Sequence, residues 1–250
     1  MNRHTVAITG ASSGIGSTLA LAFARRGYNR GLAARRIHAL EQLRDRFPHK
    51  HSESAIRINL AAIDVTQESA APAARRKLFD ACGGADIVIA NAGIHGITNA
   101  GKGDLAEEIR IIRTNLIGGM ISVDAAVEHF LGQGCGHLAG ISSLASLQPI
   151  QRQAAYCASK AGLTMYLDSI RVDLRKTKIR VTGIRPGYVG TNIVDGVDIR
   201  SIPFAITPEK AAEDIVALVE KRVKNGIVPF YPWWFIKPLL GHLPARFTAV

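Results

Sequence analysis

The sequence predicts an α/β protein, a single doubly wound parallel sheet flanked by helices, and three observations carry that expectation. Short apolar runs alternate with helical stretches along the chain, the pattern of strand–helix–strand units lying parallel in one sheet. Glycine- and proline-rich punctuation falls between those stretches, where such a sheet turns. A length of 250 residues suits one domain that buries about three-quarters of its unfolded surface. No internal repeat, low-complexity tract or long linker marks a second one, so residues 1–250 are assigned to one domain.

The first element is the most regular. Thr5-Val6-Ala7-Ile8-Thr9 reads as a buried strand and runs into Gly10-Ala11-Ser12-Ser13-Gly14-Ile15-Gly16, after which the apolar run Leu19 to Ala24 follows as a helix. Strand, glycine-rich turn and helix start together make a phosphate site. Glycines admit a close backbone approach, and free amides and the helix dipole face the anion.

The second strand is placed so that it ends near Ala34, about 18 residues beyond Gly16, where an acidic residue would bond an adenosine ribose. Arg35 and Arg36 stand there instead, and guanidinium forks match a phosphate bidentately. A phosphorylated dinucleotide, NADP(H), is therefore expected in preference to NAD(H). The structural alternative for both arginines is a solvated helix start. Arg30 and Gly31 are unusual inside a strand of this kind.

Farther along, Ile63-Asp64-Val65-Thr66 predicts an N-terminal cap at Asp64 for a helix beginning near Gln67. The apolar run 86–90 reads as a strand and leads into Asn91-Ala92-Gly93. Asn115 falls in a helix, where it could mark a kink or a local backbone bond. Ile141-Ser142-Ser143 closes another short strand, at whose end successive side chains point to opposite faces.

Tyr156 and Lys160 lie four residues apart in Tyr-Cys-Ala-Ser-Lys, hence on one face of a helix. A free phenol titrates at about 10. A cation about 4 Å away is worth roughly 4 kcal/mol at an effective dielectric of 20, and about 1.4 kcal/mol moves a pKa by one unit. Lys160 is thus expected to draw Tyr156 toward neutrality. Residues 180–184 form the next strand and lead into Pro186-Gly187-Tyr188-Val189-Gly190-Thr191. A short segment of mixed aliphatics follows, then a helix over 208–223 and an aromatic tail over about 227–250 that carries Trp233 and Trp234.

Six of these motifs, the glycine loop, Asn91-Ala92-Gly93, Asn115, the Ser142-Ser143 strand end, Tyr156-x-x-x-Lys160 and Pro186-Gly187, occur in order over residues 5–191. In this the chain resembles the short-chain dehydrogenases/reductases. The resemblance implies a Rossmann fold and hydride transfer between a nicotinamide cofactor and a small carbonyl or alcohol substrate. It places Ser143, which lies 13 positions before Tyr156, on the substrate oxygen and makes Tyr156 the acid/base. Lys160 would lower the phenol pKa and hold the nicotinamide ribose, and Asn115 would anchor a water that links Lys160 to solvent. The cofactor would be held by Gly10, Ser12, Ser13, Gly14, Ile15 and Gly16, by Asp64 and Val65 at the adenine, and by Asn91, Ala92, Gly93, Tyr156, Lys160, Pro186, Gly187, Val189 and Thr191. A homodimer or homotetramer, paired through the Asn115 and Tyr156 helices, is also implied. Two rivals to this reading are an idle dinucleotide-binding redox sensor and a membrane-associated reductase of lipids.

Composition narrows the partners. A net charge of +11 raises nucleic acid or an anionic surface, but the basic residues are spread out and aromatic residues make up only 6%, so no stacking platform for nucleic acid is expected. Three cysteines, Cys82, Cys135 and Cys157, fit reduced thiols better than disulfides, and the eight histidines show no zinc spacing, so no metal is expected. His137 is placed at the start of a strand. His95, just beyond Asn91-Ala92-Gly93, is a candidate substrate contact. Met1-Asn2-Arg3-His4 leads directly into the first strand, which predicts a cytoplasmic protein without a signal peptide. The resemblance implies a substrate lid at about 192–207, and the aliphatic residues of that segment predict a mainly apolar substrate. The tail, broken by Pro229, Pro232 and Pro238, is too short and interrupted to span a bilayer. It is expected to cover the pocket or a subunit contact, with membrane-surface contact by its tryptophans as the lesser alternative.

Overall fold

The protein is described by a computed structural model that covers residues 4–47, 56–69, 71–191, 202 and 204–235. Seven strands form one parallel sheet: β1 (Thr5–Thr9), β2 (Asn29–Ala34), β3 (Ile58–Ala62), β4 (Ile87–Ala90), β5 (Cys135–Ile141), β6 (Lys178–Pro186) and β7 (Asn225–Val228). Their order is β3-β2-β1-β4-β5-β6-β7. The chain thus winds outward from β1 in one direction, returns, and winds outward in the other. The crevice beyond the carboxyl ends of β1 and β4, where the order reverses, is the place at which such sheets bind ligands.

The helices are α1 (Gly14–Arg25), α2 (Ile37–Asp45), α3 (Ala71–Ala81), α4 (Leu105–Ile112), α5 (Gly118–Gln133), α6 (Ala154–Asp173) and α7 (Pro208–Glu220). Strand alternation divides the core between two faces. Val6 and Ile8 of β1 pack with Leu19, Phe23 and Ile215 of α1 and α7. Ala7, Val88 and Leu138 face the other way, onto Val123 and Phe130 of α5 and Leu163 and Leu167 of α6.

Several boundaries depart from the sequence reading. No helix begins near Gln67; α3 starts at Ala71. Residues 65–66 form a turn closed by Asp64, a local backbone bond that competes with the helix cap. β5 begins at Cys135, two residues before His137, whose ring is buried against Thr182 Oγ1 at 2.9 Å. β6 extends from Lys178 to Pro186, and α7 stops at Glu220. Residues 227 and 228, read as tail, belong to β7 and pair with Arg185 and Pro186.

Arg30 is the least expected core residue, with only 2% of its surface exposed inside β2. Its guanidinium lies 4.2 Å from the centre of the Phe47 ring, which supplies a π face to a weakly hydrated cation. Burial lowers its pKa to about 10.

Candidate active site

The glycine loop joins β1 to α1. Gly10 (φ +66°) and Gly14 (φ +56°) take left-handed conformations that favour glycine. At Gly16 the constraint is space, because a Cβ would lie 2.2 Å from the Gly10 carbonyl oxygen. Ser13 precedes α1 without a side-chain cap bond, and the first turn carries no acidic residue. The leading amides and the positive end of the dipole therefore face an anion without competition.

The turn after β4 braces this loop. Thr9 Oγ1 accepts from the amides of Asn91 (3.1 Å) and Ala92 (3.3 Å). Asn91 Nδ2 donates to the carbonyls of Thr9 (3.0 Å) and Gly10 (3.2 Å). Asn91 thus commits both hydrogens of its side-chain amide to the loop and maintains its shape. Thr9 is the residue that makes the connection, and the sequence reading gave it no role.

The arginines after β2 divide. Arg36 Nη2 reaches Ser12 Oγ at 3.4 Å and Ser13 Oγ at 3.3 Å, placing a cation and two hydroxyls on one side of the loop. Arg35 acts on Asp64. Burial alone would raise that carboxyl, but two bonds from Thr66 (N, 2.9 Å; Oγ1, 2.8 Å) and the Arg35 guanidinium leave its pKa lowered. Val65 is buried, and its Cγ2 stands 2.6 Å from where a Cβ on Gly118 would sit. A bare glycine cradle, an uncapped helix start, and an exposed Arg36 between two serines fit a dinucleotide.

The second half of the site gathers at the end of β5. Ser143 precedes a short 3-10 turn, Leu144–Ser146; its Oγ accepts from the Ala145 amide at 3.1 Å and acts on the nearby Tyr156 phenol. Ser142 points the other way, as strand geometry requires, and donates to the Lys160 carbonyl at 2.9 Å. Lys160 Nζ donates to the Ile141 carbonyl at 3.1 Å and stands 5.8 Å from the Tyr156 ring centre.

The expected depression of the phenol pKa is not found. Burial raises Tyr156, opposed by the Ser143 bond and reinforced by Cys157 and Tyr188. Burial also lowers Lys160 to about 8. A lysine that loses its proton before the phenol does supplies no cation when the phenol ionises, so the Coulomb argument from spacing fails once both groups are desolvated.

Asn115 is fully buried in a π-helical turn, Arg113–Ile117, between α4 and α5. Its Oδ1 accepts from the Ile94 amide (2.7 Å), while Nδ2 donates to the Ile94 carbonyl (2.9 Å) and to Ser159 Oγ (3.1 Å). Both hydrogens of the side-chain amide are committed to this clamp. The π-helical turn at Asn115 is a local departure from the α-helix on either side of it. A Cβ on Gly93 would lie 3.2 Å from Asn115 Oδ1 and 3.3 Å from Lys160 Nζ, so the three residues share one space. Ser159 and Ile94 carried no sequence signal.

Pro186 ends β6. The Gly187 amide donates to the Val228 carbonyl at 2.8 Å, Val189 pairs with Ile206, and the Thr191 amide donates to the Val189 carbonyl at 2.7 Å. The His95 ring packs edge-on against Tyr156, with centres 5.0 Å apart. Most of the expected lid, and the tail beyond residue 235, lie outside the described residues. Within the described tail, Trp233 packs with Leu144, Leu147 and Ile227, whereas Phe230, Tyr231, Trp234 and Phe235 are exposed. Among the described residues no group of His, Cys, Asp and Glu side chains could hold a metal ion.

Comparison with known proteins agrees with this arrangement. The family described as short chain dehydrogenase matches residues 4–223. An uncharacterized oxidoreductase of Myxococcus xanthus is 36% identical over 239 residues, covering 95% of this chain and 91% of that protein. One from Mycobacterium tuberculosis is 33% identical over 249 residues, covering 99% and 97%. Among solved structures, a short-chain dehydrogenase from Sphingobium yanoikuyae in complex with NADPH superposes with a TM-score of 0.82 at 26% identity, covering 96% of this chain and 93% of that one. A short-chain type dehydrogenase/reductase from Mycobacterium marinum gives 0.78 at 28%, covering 90% and 92%. With a glycine cradle at one end of the crevice, a serine–tyrosine pair at the other and this likeness over almost its full length, the chain belongs to the short-chain dehydrogenase/reductase family, oxidoreductases that act on CH–OH and C=O groups.

Proposed function

We propose that this protein is an NADPH-dependent oxidoreductase that interconverts a carbonyl and an alcohol, with Tyr156 as the acid/base. The observation that carries the reading is the gathering of Ser143 and Tyr156 at the end of β5, with Lys160 held on the Ile141 carbonyl at 3.1 Å, at the carboxyl edge of the sheet and across the crevice from the glycine cradle. When bound, the nicotinamide cofactor supplies or accepts the hydride. Ser143 holds the substrate oxygen, and Tyr156 gives that oxygen its proton in reduction or removes it in oxidation. A phenol kept protonated by burial is well suited to the first direction. Lys160 positions the ribose, and Asn115, by clamping Ile94, fixes the turn that carries Gly93.

Arg36 between Ser12 and Ser13 supports NADP(H) over NAD(H), because charge-assisted bonds to a ribose phosphate would meet no opposing carboxylate. The apolar side chains of Leu144, Leu147 and Trp233 next to Ser143 support a mainly apolar small-molecule substrate. Exposed Leu105 and Ile109 on α4 and Met165 and Val172 on α6 support pairing of two copies through these helices. No helix among the described residues is long and apolar enough to cross a membrane, and three free cysteines suit a reducing compartment, here the cytoplasm.

One observation favours a second reading, a reductase working at a lipid surface: Phe230, Tyr231 and Phe235 are 55%, 71% and 66% exposed. Co-sedimentation with anionic vesicles separates the two. The main reading is tested by screening ketones, aldehydes and alcohols for change in NADPH absorbance, and a panel without any turnover would refute it.

A further inference from the structure

Tyr156 stands in the first turn of α6, which begins at Ala154. Side chains on a helix lean toward its amino end, onto the turn before their own. For Tyr156 that turn is not helical. Three and four positions before it stand Gln153, which makes no side-chain cap bond, and Arg152, in a turn at φ +61°. Its own helix therefore does little to hold the phenol, and an orienting contact has to come from another element. The ring packed on it is that of His95, from the segment after β4, with centres 5.0 Å apart and planes at 70°.

The segment that carries His95 is fastened at both ends. Before it, the Ile94 amide donates to Asn115 Oδ1 at 2.7 Å and the Ile94 carbonyl accepts from Asn115 Nδ2 at 2.9 Å. After it, the amide of buried Thr98 donates to the Arg152 carbonyl at 2.8 Å, two residues ahead of α6. The glycines on either side are pressed against their neighbours. A Cβ on Gly93 would lie 3.2 Å from Asn115 Oδ1 and 3.3 Å from Lys160 Nζ, and one on Gly96 would lie 2.8 Å from Ile111 Cδ1 and 2.9 Å from Glu107 Oε1. Residues 93–98 thus run from the Asn115 turn and α4 to the entrance of the helix that bears Tyr156, and His95 is the ring they present to the phenol. Neither His95 nitrogen makes a hydrogen bond to another described residue; its contact with Tyr156 is ring on ring.

We propose that His95 is a positioning residue for the acid/base: its ring, delivered by this fastened segment, holds the Tyr156 phenol in the orientation that puts its hydroxyl beside Ser143. It acts as an aromatic surface, through the attraction between the edge of one ring and the face of the other, and does not relay the proton. Asn115 then reaches the phenol through two intermediaries, Ile94 and His95. A phenol turned away from the substrate oxygen slows proton transfer without loosening substrate or cofactor, so the effect falls on the chemical step. This rests on the reading of Tyr156 as acid/base and adds a residue to which that chemistry gives no part.

Two substitutions separate the ring from its nitrogens. His95→Gln, which keeps hydrogen-bonding groups and loses the ring, should slow single-turnover reduction by NADPH roughly tenfold, the scale of one edge-to-face pair, and leave KM and NADPH affinity within about twofold of wild type. His95→Leu, equally ringless, takes its place if that variant does not fold. His95→Phe, which keeps a ring and cannot carry a proton, should restore the rate to within about twofold. The reverse pattern, with His95→Gln fast and His95→Phe slow, would point to a proton relay and overturn the proposal. Equal slowing by both would overturn it too, as would a loss confined to KM, the mark of a substrate contact. Crystal structures of the NADP+ complexes supply a measurement that needs no turnover. The Tyr156 phenol should keep one orientation beside Ser143 in wild type and His95→Phe, and leave it or divide between two in His95→Gln; an unchanged phenol in His95→Gln overturns the proposal. A displaced phenol in that variant, together with a wild type that reduces no ketone, would count against the reductase reading and leave the positioning role standing.

Discussion

Lys160 and Tyr156 share a face of α6, yet the ammonium donates to the carbonyl of Ile141 at 3.1 Å and remains 5.8 Å from the centre of the phenol ring. The pair is a desolvated couple with separate surroundings: Tyr156 beside Ser143, Lys160 bonded to the end of β5. Each group is pushed toward its neutral form, the phenol upward and the ammonium down to about 8.

This sets a pH dependence of stability. Between about 8 and its ordinary value of 10.5, Lys160 has released a proton that the unfolded chain still binds, so its contribution to stability rises with pH over that window. Below about 8 its buried charge is a cost. Lys160→Met should therefore be at least as stable as wild type at pH 7 in urea titrations. Its advantage should shrink by on the order of 3 kcal/mol toward pH 10, while activity is lost. An advantage independent of pH would contradict the assignment.

The cofactor preference is tested at the arginines. Replacing both Arg35 and Arg36 with Ala should weaken NADPH binding by about 10² to 10⁴ and spare NADH, since each charge-assisted bond contributes roughly 1.5 to 3 kcal/mol. Arg36→Ala alone should produce most of the loss, because Arg36 reaches Ser12 and Ser13 whereas Arg35 acts on Asp64. Calorimetric titration that finds equal losses for the two cofactors would show the arginines doing other work.

Two glycines should respond oppositely to alanine. At Gly16 a Cβ meets the Gly10 carbonyl at 2.2 Å, so Gly16→Ala should distort the cradle and abolish dinucleotide binding. At Gly132, inside α5, a Cβ meets nothing within 4 Å, and Gly132→Ala should stabilise by about 0.5 to 1 kcal/mol. Thermal melts with and without NADPH separate the two effects.

The fold was legible because its signals are local. β1, the glycine loop, the end of β2 at Ala34 and the opposed faces of Ser142 and Ser143 follow from alternation and turn chemistry that a few neighbouring residues dictate. What escaped depends on contacts between distant segments. Arg30 is unreadable in β2 until Phe47 is seen beneath it. Asp64 looked like a helix cap because a capping carboxylate and one that closes a turn on Thr66 have the same local sequence. The Tyr156 pKa went the wrong way because spacing reports proximity and not desolvation. Trp233 read as part of an undivided aromatic tail, and only the packing of Gly187 and Leu144 separates it from Trp234.

Tyr156 is the residue on which the proposed proton transfer turns. In Tyr156→Phe the ring that packs against His95 is kept and only the hydroxyl beside Ser143 is lost. Measuring NADPH affinity and single-turnover reduction on the same preparation, with whichever ketone the wild type turns over, gives the decisive comparison. The expected result is unchanged cofactor affinity with turnover reduced by at least roughly 100-fold, as when a general acid is removed. Turnover near the wild-type rate with NADPH still bound would contradict Tyr156 as the acid/base and the mechanism built on it.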